Sequence, residues 1–297
     1  MLEECLTVLE AAGGGREKVF VDATFGAGGH TRALLEAAGA NKVVALDADP
    51  AAVDRARVLA RRYPGRVKVA HANFGELDDA LDRAHVKSAD GFLFDLGLSS
   101  LQLAQAGRGF AFSGDDPLDM RLDPSSDVPT ASDLLARLPQ AELERILREH
   151  GDEHHARAIA RAIVRRRPRV ASWSTSDLVA AVLEAFGPRR RHQRIHPATR
   201  TFLALRIAVN GELRALERGL ESAVRRLRPG GHIAVISYHS GEDRIVKHRF
   251  KSFAQSHLAE IVTRKPMRPS IAEVKANPRS RSAKLRVVAS PRDGRSA

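Results

Sequence analysis

Residues 18–29 read Lys-Val-Phe-Val-Asp-Ala-Thr-Phe-Gly-Ala-Gly-Gly, an apolar run of strand type that ends in a glycine-rich turn. A helical stretch, Thr31–Ala38, follows the turn, and Lys42–Asp47 is a second strand-like run. Asp49-Pro50 then opens another helix, because proline is favoured at the first helical position. Strand, glycine turn, helix and strand in this order are typical of the first unit of a parallel α/β sheet.

Further along the chain, the strand-like runs are interrupted by about 100 residues without any. The remaining runs are Arg66–Ala70, Ala89–Leu96, His232–Ser237 and Lys284–Val288. Between residues 101 and 200 the sequence shows only loops and helical periodicity, over Ala141–His150, Ala156–Arg166 and Thr175–Phe186. One long helix, Thr199–Leu227, is predicted to lead through Arg228-Pro229-Gly230-Gly231 into the fifth strand.

This organisation predicts an α/β protein with an inserted all-helical domain. We expect residues 1–104 and 205–297 to form the α/β domain and residues 105–204 to form the insertion. A short amphipathic helix is expected over residues 3–12, ended by three glycines. Ligands of a parallel sheet bind beyond the carboxyl ends of its strands, so the functional site is expected there.

The composition excludes several classes of protein. The chain has 297 residues and a single cysteine, Cys5, which excludes a disulfide framework and any cysteine-rich metal site. It has no apolar run of the roughly 18 residues that a membrane span needs. The first residues are acidic, unlike a signal peptide. We therefore expect a cytoplasmic protein with no membrane partner.

The positive charge is concentrated in two parts of the chain. The net charge of +12 divides into −7 for residues 1–136, +7 for 137–200, +1 for 201–243 and +11 for 244–297. Arginine dominates the excess, with clusters at Arg165–Arg169 and at Arg189, Arg190, Arg191 and Arg194. These clusters are either solvated basic faces or the binding surface for a polyanion, of which nucleic acid is the favoured choice.

The glycine-rich turn indicates a nucleoside cofactor. A phosphate-binding P-loop would end in Gly-Lys-Ser/Thr, whereas His30-Thr31 supplies no lysine. A dinucleotide fingerprint starting at Gly26 would need a sixth-position glycine, which is Thr31 here. The remaining candidate is a nucleoside joined to an amino acid, such as S-adenosylmethionine. Asp22 would accept from its ammonium group or order the turn, and Asp47 would accept from both ribose hydroxyls.

Several motifs closely resemble the bacterial ribosomal RNA small subunit methyltransferase H family. The matching blocks, which follow the order of that family and cover nearly the whole chain, are Phe94-Asp95-Leu96-Gly97-Leu98-Ser99-Ser100-Leu101-Gln102, Arg108-Gly109-Phe110, Pro117-Leu118-Asp119-Met120-Arg121, His196-Pro197-Ala198-Thr199-Arg200-Thr201-Phe202, Ser237-Tyr238-His239-Ser240-Gly241-Glu242-Asp243-Arg244 and Asn277-Pro278-Arg279-Ser280-Arg281-Ser282-Ala283-Lys284-Leu285-Arg286.

The resemblance implies a class I methyltransferase fold, Rossmann-like with an inserted helical domain for substrate recognition. It implies S-adenosylmethionine-dependent methylation of the exocyclic N4 of a cytidine in the decoding region of 16S rRNA, with the assembled small subunit as partner. The sequence leaves the oligomeric state open, and a homodimer is one of the states that it allows. The cofactor contacts that it implies are Gly28, Gly29, His30, Asp47, Phe74, Asp95 and Gln102.

Three residues are the candidates for catalysis. Cytosine N4 is a weak nucleophile because its lone pair is delocalised into the ring, and Asp95 would accept from its N–H groups and aim the nitrogen for direct transfer. The alternative is that Asp95 only orders a loop. Tyr238 and His239 would stack on a flipped cytosine, with His239 or Ser240 bonding its edge, or else are a satisfied pair at a strand end.

The proposed RNA contacts come from the insertion and from Ser240. Arg121, His196 and Arg200 would contact rRNA phosphates or pack within the insertion, and Arg189, Arg190 and Arg191 would grip the backbone. Trp173 is expected in the core. No metal site is expected, although His150 and His154 lie one helical turn apart.

Two departures from the family motivate a rival hypothesis. Gly241 stands where the family usually has leucine, and the chain begins inside its first helix, without the usual preceding His-x-Pro-Val-Leu segment. The rival is a non-catalytic protein that binds the small subunit and keeps a vestigial cofactor pocket. A nucleotide-dependent oxidoreductase is disfavoured by the glycine spacing.

Overall fold

The structure, a computed structural model, describes residues 1–12, 15–112, 114–186 and 196–292. The chain forms two compact units. The first comprises Met1–Gly97 and Leu213–Ala297, and the second comprises Leu98–Glu212. The divisions thus fall seven and eight residues from the boundaries expected from sequence, at the turn that follows the fourth strand and just after Gly211. The role of the second unit in substrate recognition stays a prediction.

The first unit is built on one twisted sheet. Its strands are β1 (Val19–Asp22), β2 (Lys42–Asp47), β3 (Val67–His71), β4 (Ala89–Asp95), β5 (Leu227–Ser237), β6 (Glu260–Ile261) and β7 (Lys284–Ala289). The order is β3-β2-β1-β4-β5-β7-β6. The first five are parallel, whereas β7 pairs antiparallel with both β5 and β6. The mostly parallel, Rossmann-like α/β class is confirmed.

Helices alternate with the strands along the chain. In the first unit they are α1 (Leu2–Val8), α2 (Gly29–Ala37), α3 (Pro50–Arg62), α4 (Leu77–Arg83), α11 (Glu212–Arg225), α12 (Ser240–Gln255) and α13 (Ile271–Ala276). The central strands read as continuous apolar runs because both faces of the sheet are covered, and six of the seven residues of β4 are buried. As predicted, α3 begins at Asp49-Pro50, where the Asp49 side chain caps the helix by accepting from the backbone N–H of Ala51.

The second unit is helical. Its helices are α5 (Ser100–Ala104), α6 (Ala131–Arg137), α7 (Gln140–Gly151), α8 (Ala156–Arg166), α9 (Thr175–Phe186) and α10 (Thr199–Asn210). They enclose an apolar core of their own that includes Leu118, Leu147 and Ile159. Trp173 belongs to this core and is 1% exposed, so the expectation that it is a core residue is confirmed.

Three expectations from the sequence are wrong in detail. The helix predicted over Thr199–Leu227 is two helices, because Gly211 adopts a φ of +58° between them and ends α10. The turn predicted at residues 228–231 belongs to β5, which begins at Leu227 and shifts register against β4 near Gly91. The short edge strand β6 was not predicted, and α1 ends at Val8 rather than at residue 12.

The described helices contain no candidate for a membrane span. Across these ranges no helix is both long enough and apolar enough to cross a bilayer.

Candidate active site

The carboxyl ends of the central strands bring three aspartates to one edge of the sheet. Asp22 ends β1, Asp47 ends β2 and Asp95 ends β4. The strand order reverses between β1 and β4, because the chain continues outward from β1 through β2 and β3 before it returns to β4 on the other side. A reversal of this kind opens a crevice at the carboxyl edge, where α/β proteins bind their ligands.

The glycine-rich turn follows β1 and leads into α2. Gly28 caps the helix with a φ of +79°, a backbone conformation that favours glycine, and a Cβ built there would lie 2.5 Å from Cζ of Phe25. The turn is tied to the second strand because the backbone N–H of Phe25 donates to the carbonyl of Leu46 at 2.8 Å. A Cβ built at Gly29 would meet nothing within 4 Å, so the start of α2 is open to a ligand.

Asp22 orders this turn from beneath. Its carboxylate is completely buried and accepts from the Thr31 hydroxyl at 2.7 Å and from the Thr24 backbone N–H at 3.3 Å. Burial raises the pKa of the Asp22 carboxyl. Of the two roles considered for Asp22 in the sequence, the structure shows the ordering of the turn.

Asp47 is half-buried at the end of the neighbouring strand. One carboxylate oxygen accepts from the backbone N–H of Gly26 at 2.8 Å and the other from that of Asp49 at 2.9 Å. Burial raises the pKa of Asp47 to about 6. Phe74 follows β3 in a 3₁₀ turn, and its ring meets that of Phe94 edge to face at a centroid distance of 6.1 Å.

Asp95 is held from three sides. Its Oδ1 accepts from the hydroxyl of Tyr238 at 2.8 Å, and its Oδ2 lies 3.5 Å from Nδ1 of His30. The Thr24 hydroxyl accepts the Asp95 backbone N–H at 2.7 Å. Burial raises the pKa of the Asp95 carboxyl, yet 28% of its side-chain surface stays exposed. The arrangement gives an oriented carboxylate that is a stronger base than an ordinary aspartate and that a ligand can reach.

Tyr238 and His239 join β5 to α12. His239 caps the helix, its Nδ1 accepting from the backbone N–H of Glu242 at 3.4 Å, and Ser240 is exposed at the first helical position. Glu242 in turn accepts from the backbone N–H of Tyr238 at 2.8 Å. Gly241 does not loosen this segment, since the capping box is formed and α12 runs unbroken for 16 residues.

The structure thus brings together the predicted residues Gly28, Gly29, His30, Asp47 and Asp95 at one sheet edge, with Tyr238 on Asp95. Sequence reasoning missed Thr24 and Glu242. Only half of the capping-box signal was present for Glu242, because it stands three residues after the helix-capping position but that position holds His239 rather than Ser, Thr, Asp or Asn. Thr24 carried no comparable signal.

The remaining predicted residues lie in the second unit. Gln102 is buried and its side-chain oxygen accepts from the backbone N–H of Ser99, which caps α5. Arg121 forks onto Asp119 and also donates to the Ser126 carbonyl. The exposed His196 ring stacks on the ring of Phe112, with 4.6 Å between the two ring centroids.

Arg200 is exposed, with one guanidinium nitrogen 3.3 Å from the Asp152 carbonyl. Arg189, Arg190 and Arg191 lie outside the described residues. None of these observations tests contact with RNA. Among the described residues, no group of three His, Cys, Asp or Glu side chains is placed to hold a metal ion.

Comparison with known proteins assigns the family. A family model described as the MraW methylase family matches residues 1–290. Ribosomal RNA small subunit methyltransferase H of Thermomicrobium roseum is 48% identical over 97% of this chain and 91% of its own length, and that of Kosmotoga olearia is 45% identical over 97% and 95%. Among solved structures, an rRNA methylase from Streptococcus thermophilus aligns over 98% of this chain and 93% of its own, at 12% identity and a TM-score of 0.44. The sequence resemblance is therefore confirmed, and the chain belongs to the MraW methylase family.

Proposed function

We propose that this protein methylates N4 of a cytidine in the decoding region of 16S rRNA, with S-adenosylmethionine as the methyl donor and the assembled small subunit as the substrate. The observation that carries the proposal is Asp95, an accessible carboxylate with a raised pKa that Tyr238 orients at the carboxyl edge of the sheet. Family membership and the similarity to ribosomal RNA small subunit methyltransferases H support the rRNA substrate.

The residues at the sheet edge fit S-adenosylmethionine. The open start of α2 at Gly28 and Gly29 would accept its amino-acid end, and the Asp47 carboxylate would accept from its ribose hydroxyls. Nε2 of His30 is buried without a hydrogen-bond partner among the described residues, as a ligand-facing donor would be. Phe74 would flank the adenine, and Gln102 would lie nearby. When bound, the cofactor supplies an electrophilic methyl group on a sulfonium.

Asp95 would activate the amino group of the cytosine and take up its proton. An amino nitrogen whose lone pair is spread into a cytosine ring becomes a better nucleophile when its N–H groups donate to a carboxylate, which localises the lone pair. The nitrogen must also lose one proton, and Oδ2 of Asp95 would accept it. The raised pKa of Asp95 suits this role because it makes the carboxylate a stronger base.

Neighbouring side chains would hold the base. Tyr238 and His239 would stack on the flipped cytosine, and His239 or the exposed Ser240 would bond its edge. Contacts with rRNA phosphates are assigned to Arg121, Arg189, Arg190, Arg191, His196 and Arg200, and the helical insertion would be the substrate-recognition domain. Because Arg121 is already forked onto Asp119, an RNA contact by Arg121 would require that the ion pair share the guanidinium. Such a substrate places the reaction in the cytoplasm.

The decisive experiment is transfer of a labelled methyl group from S-adenosylmethionine to purified small subunits, followed by nucleoside analysis of the rRNA. We expect the label in N4-methylcytidine, which chromatography separates from 5-methylcytidine and from 2′-O-methylcytidine. Asp95→Asn should abolish the transfer, because the amide cannot take up the proton, while cofactor binding persists, because its remaining oxygen can still accept a hydrogen bond.

Three outcomes would contradict the proposal. Label in another nucleoside would overturn the N4 assignment, and transfer to free rRNA but not to subunits would overturn the assembled substrate. Subunit binding and cofactor binding without any transfer would favour the non-catalytic rival.

A further inference from the structure

Glu242 is a buried acid that Tyr238 connects to Asp95. Its side chain is 5% exposed at the third position of α12. Oε2 accepts from the backbone N–H groups of Tyr238 at 2.8 Å and His239 at 3.3 Å, and Oε1 lies 3.1 Å from Nε2 of His239. Burying a carboxylate is costly unless its bonds are made, and the two N–H groups help to offset that cost for Glu242.

The position of those N–H groups explains why the acid is needed. The pairing of β5 with β4 ends at Ile236, and its pairing with β7 ends at Ser237. Tyr238 and His239 therefore lie just beyond both ladders, and within the described ranges no strand carbonyl accepts from their backbone N–H groups. An ordinary capping box ties a helix start to one such group. Glu242 ties down two in succession, and with them the whole connection from β5 to α12.

This connection carries the tyrosine that orients Asp95. The Tyr238 backbone is fixed by Glu242, and its phenol donates to Oδ1 of Asp95 at 2.8 Å. Burial is the main cause of the raised pKa of Asp95, and the charge of Glu242 adds to it. The two carboxylates are thus joined through a single residue, one at its backbone and one at its side chain.

We propose that Glu242 is a positioning residue for Asp95: by holding the backbone at Tyr238 it sets the phenol that fixes the carboxylate. The inference rests on the proposed function of Asp95 in methyl transfer. Glu242 itself touches neither of the reacting atoms, and its effect passes through Tyr238.

Kinetics of two variants test the positioning role. Glu242→Ala should lower kcat by roughly 10–100-fold, because a misplaced catalytic group loses about that much, while the KM for S-adenosylmethionine changes less than about twofold. Glu242→Gln keeps one oxygen that can accept from both N–H groups and should recover kcat to within about threefold of the parent. Asp133→Ala, which breaks the matching capping box of α6, is the control for loss of a helix cap.

A spectroscopic measurement separates this inference from the proposed function. The chain has two tyrosines, so Tyr63→Phe leaves Tyr238 as the sole reporter. Tyr63 is half-buried and directly follows the last residue of α3. With tyrosine labelled with ¹³C at Cζ, its one resonance reports the bond to Asp95 whether or not the protein transfers methyl groups. Glu242→Ala should move this resonance to the position that it takes in Asp95→Ala, which has no acceptor for the phenol, and Glu242→Gln should leave it near the parent position.

Each result decides one of the two ideas. An unmoved resonance in Glu242→Ala, or a kcat within about twofold of the parent, would overturn the positioning role. Equal shifts in the Ala and Gln variants would also overturn it, since Glu242 would then act by its charge alone. If the parent protein transfers no methyl group but Glu242→Ala still moves the resonance, the positioning role stands and the proposed function is refuted.

Discussion

At the scale of single residues, three aspartates end neighbouring strands yet differ in what they can do. Both carboxylate oxygens of Asp22 accept hydrogen bonds within the protein, from the Thr31 hydroxyl and the Thr24 backbone N–H, so Asp22 has a structural role. Asp47 is half-buried and accepts two backbone N–H groups, and Asp95 is oriented by a phenol. The sequence predicted all three at strand ends because their positions follow from the strand pattern. Their separate roles depend on partners that only the folded chain brings close.

Asp47 should make cofactor affinity depend on pH. Burial raises the pKa of Asp47 from 3.8 to about 6, so the folded protein holds this proton more tightly than the unfolded chain does. The free energy of unfolding therefore falls as the pH rises from about 4 to about 6, and this loss is complete above pH 6. Ribose hydroxyls donate best to the ionised form, so affinity should be present above pH 6 and lost as the pH falls through it. We expect the affinity for S-adenosylhomocysteine, measured by calorimetry, to fall about tenfold from pH 7.5 to pH 5.

Asp47→Asn is the matched variant for this prediction. It should bind more weakly by about 1–3 kcal/mol at pH 7.5, because a charge-assisted bond is lost, and should show no step near pH 6. A variant that keeps the parent's pH dependence would assign the titration to another group and remove Asp47 from the ribose site.

At the scale of helices and strands, local patterns predicted what local forces determine. The bounds of β2, α8 and α9 were predicted to the residue, because an unbroken apolar run marks the strand and strong apolar periodicity marks the two helices. The break at Gly211 was missed, since one glycine in a periodic stretch is tolerated as often as it ends a helix. The extension of β5 and the edge strand β6 were missed because pairing with β4 and β7 decides them, and no local pattern reports a distant partner.

Gly211 should resist substitution although it is exposed. Its φ of +58° is costly for any residue with a Cβ, so Gly211→Ala should lower the free energy of unfolding by about 1 kcal/mol in urea denaturation. Gly39→Ala is the control, because Gly39 is also exposed, has no positive φ and offers open space for a Cβ. The control should be neutral or slightly stabilising. Equal effects at the two sites would mean that backbone conformation does not end α10.

The hydrogen bond from the Thr31 hydroxyl in α2 to the Asp22 carboxylate at the end of β1 should contribute measurably to the stability of the fold. Thr31→Val preserves the shape but leaves the fully buried Asp22 carboxylate without its side-chain donor, at a cost of about 1–3 kcal/mol. Thr7→Val removes an exposed hydroxyl that donates to the Glu3 carbonyl, and it should cost less than about 0.5 kcal/mol. The comparison is made by thermal and urea unfolding. Similar losses in the two variants would show that Asp22 does not need Thr31.

At the scale of the whole molecule, the net charge changes sign along the chain. Residues 1–136 carry a net −7, whereas residues 137–200 carry +7 and residues 244–297 carry +11. Part of this excess is spent internally, since Lys284 and Arg286 pair with Asp243, and Arg165 and Arg166 pair with Glu184. The excess of basic residues predicted a polyanion partner, but the composition could not show which Lys and Arg side chains are already paired with acidic residues of the chain.

The cluster Arg189, Arg190 and Arg191 should set the salt dependence of subunit binding. Each phosphate contact releases counterions, so alanine at all three positions should weaken binding and reduce the slope of log affinity against log salt by about 2–3. Cofactor affinity should be unchanged. The matched control replaces Arg61, Arg62 and Arg83, which are exposed near the ends of α3 and α4, at the sheet edge opposite the aspartates. It removes the same charge and should change the slope by less than about one. If the two triple variants gave the same slope, net charge rather than a defined contact would govern binding, and the arginine cluster would be a solvated surface.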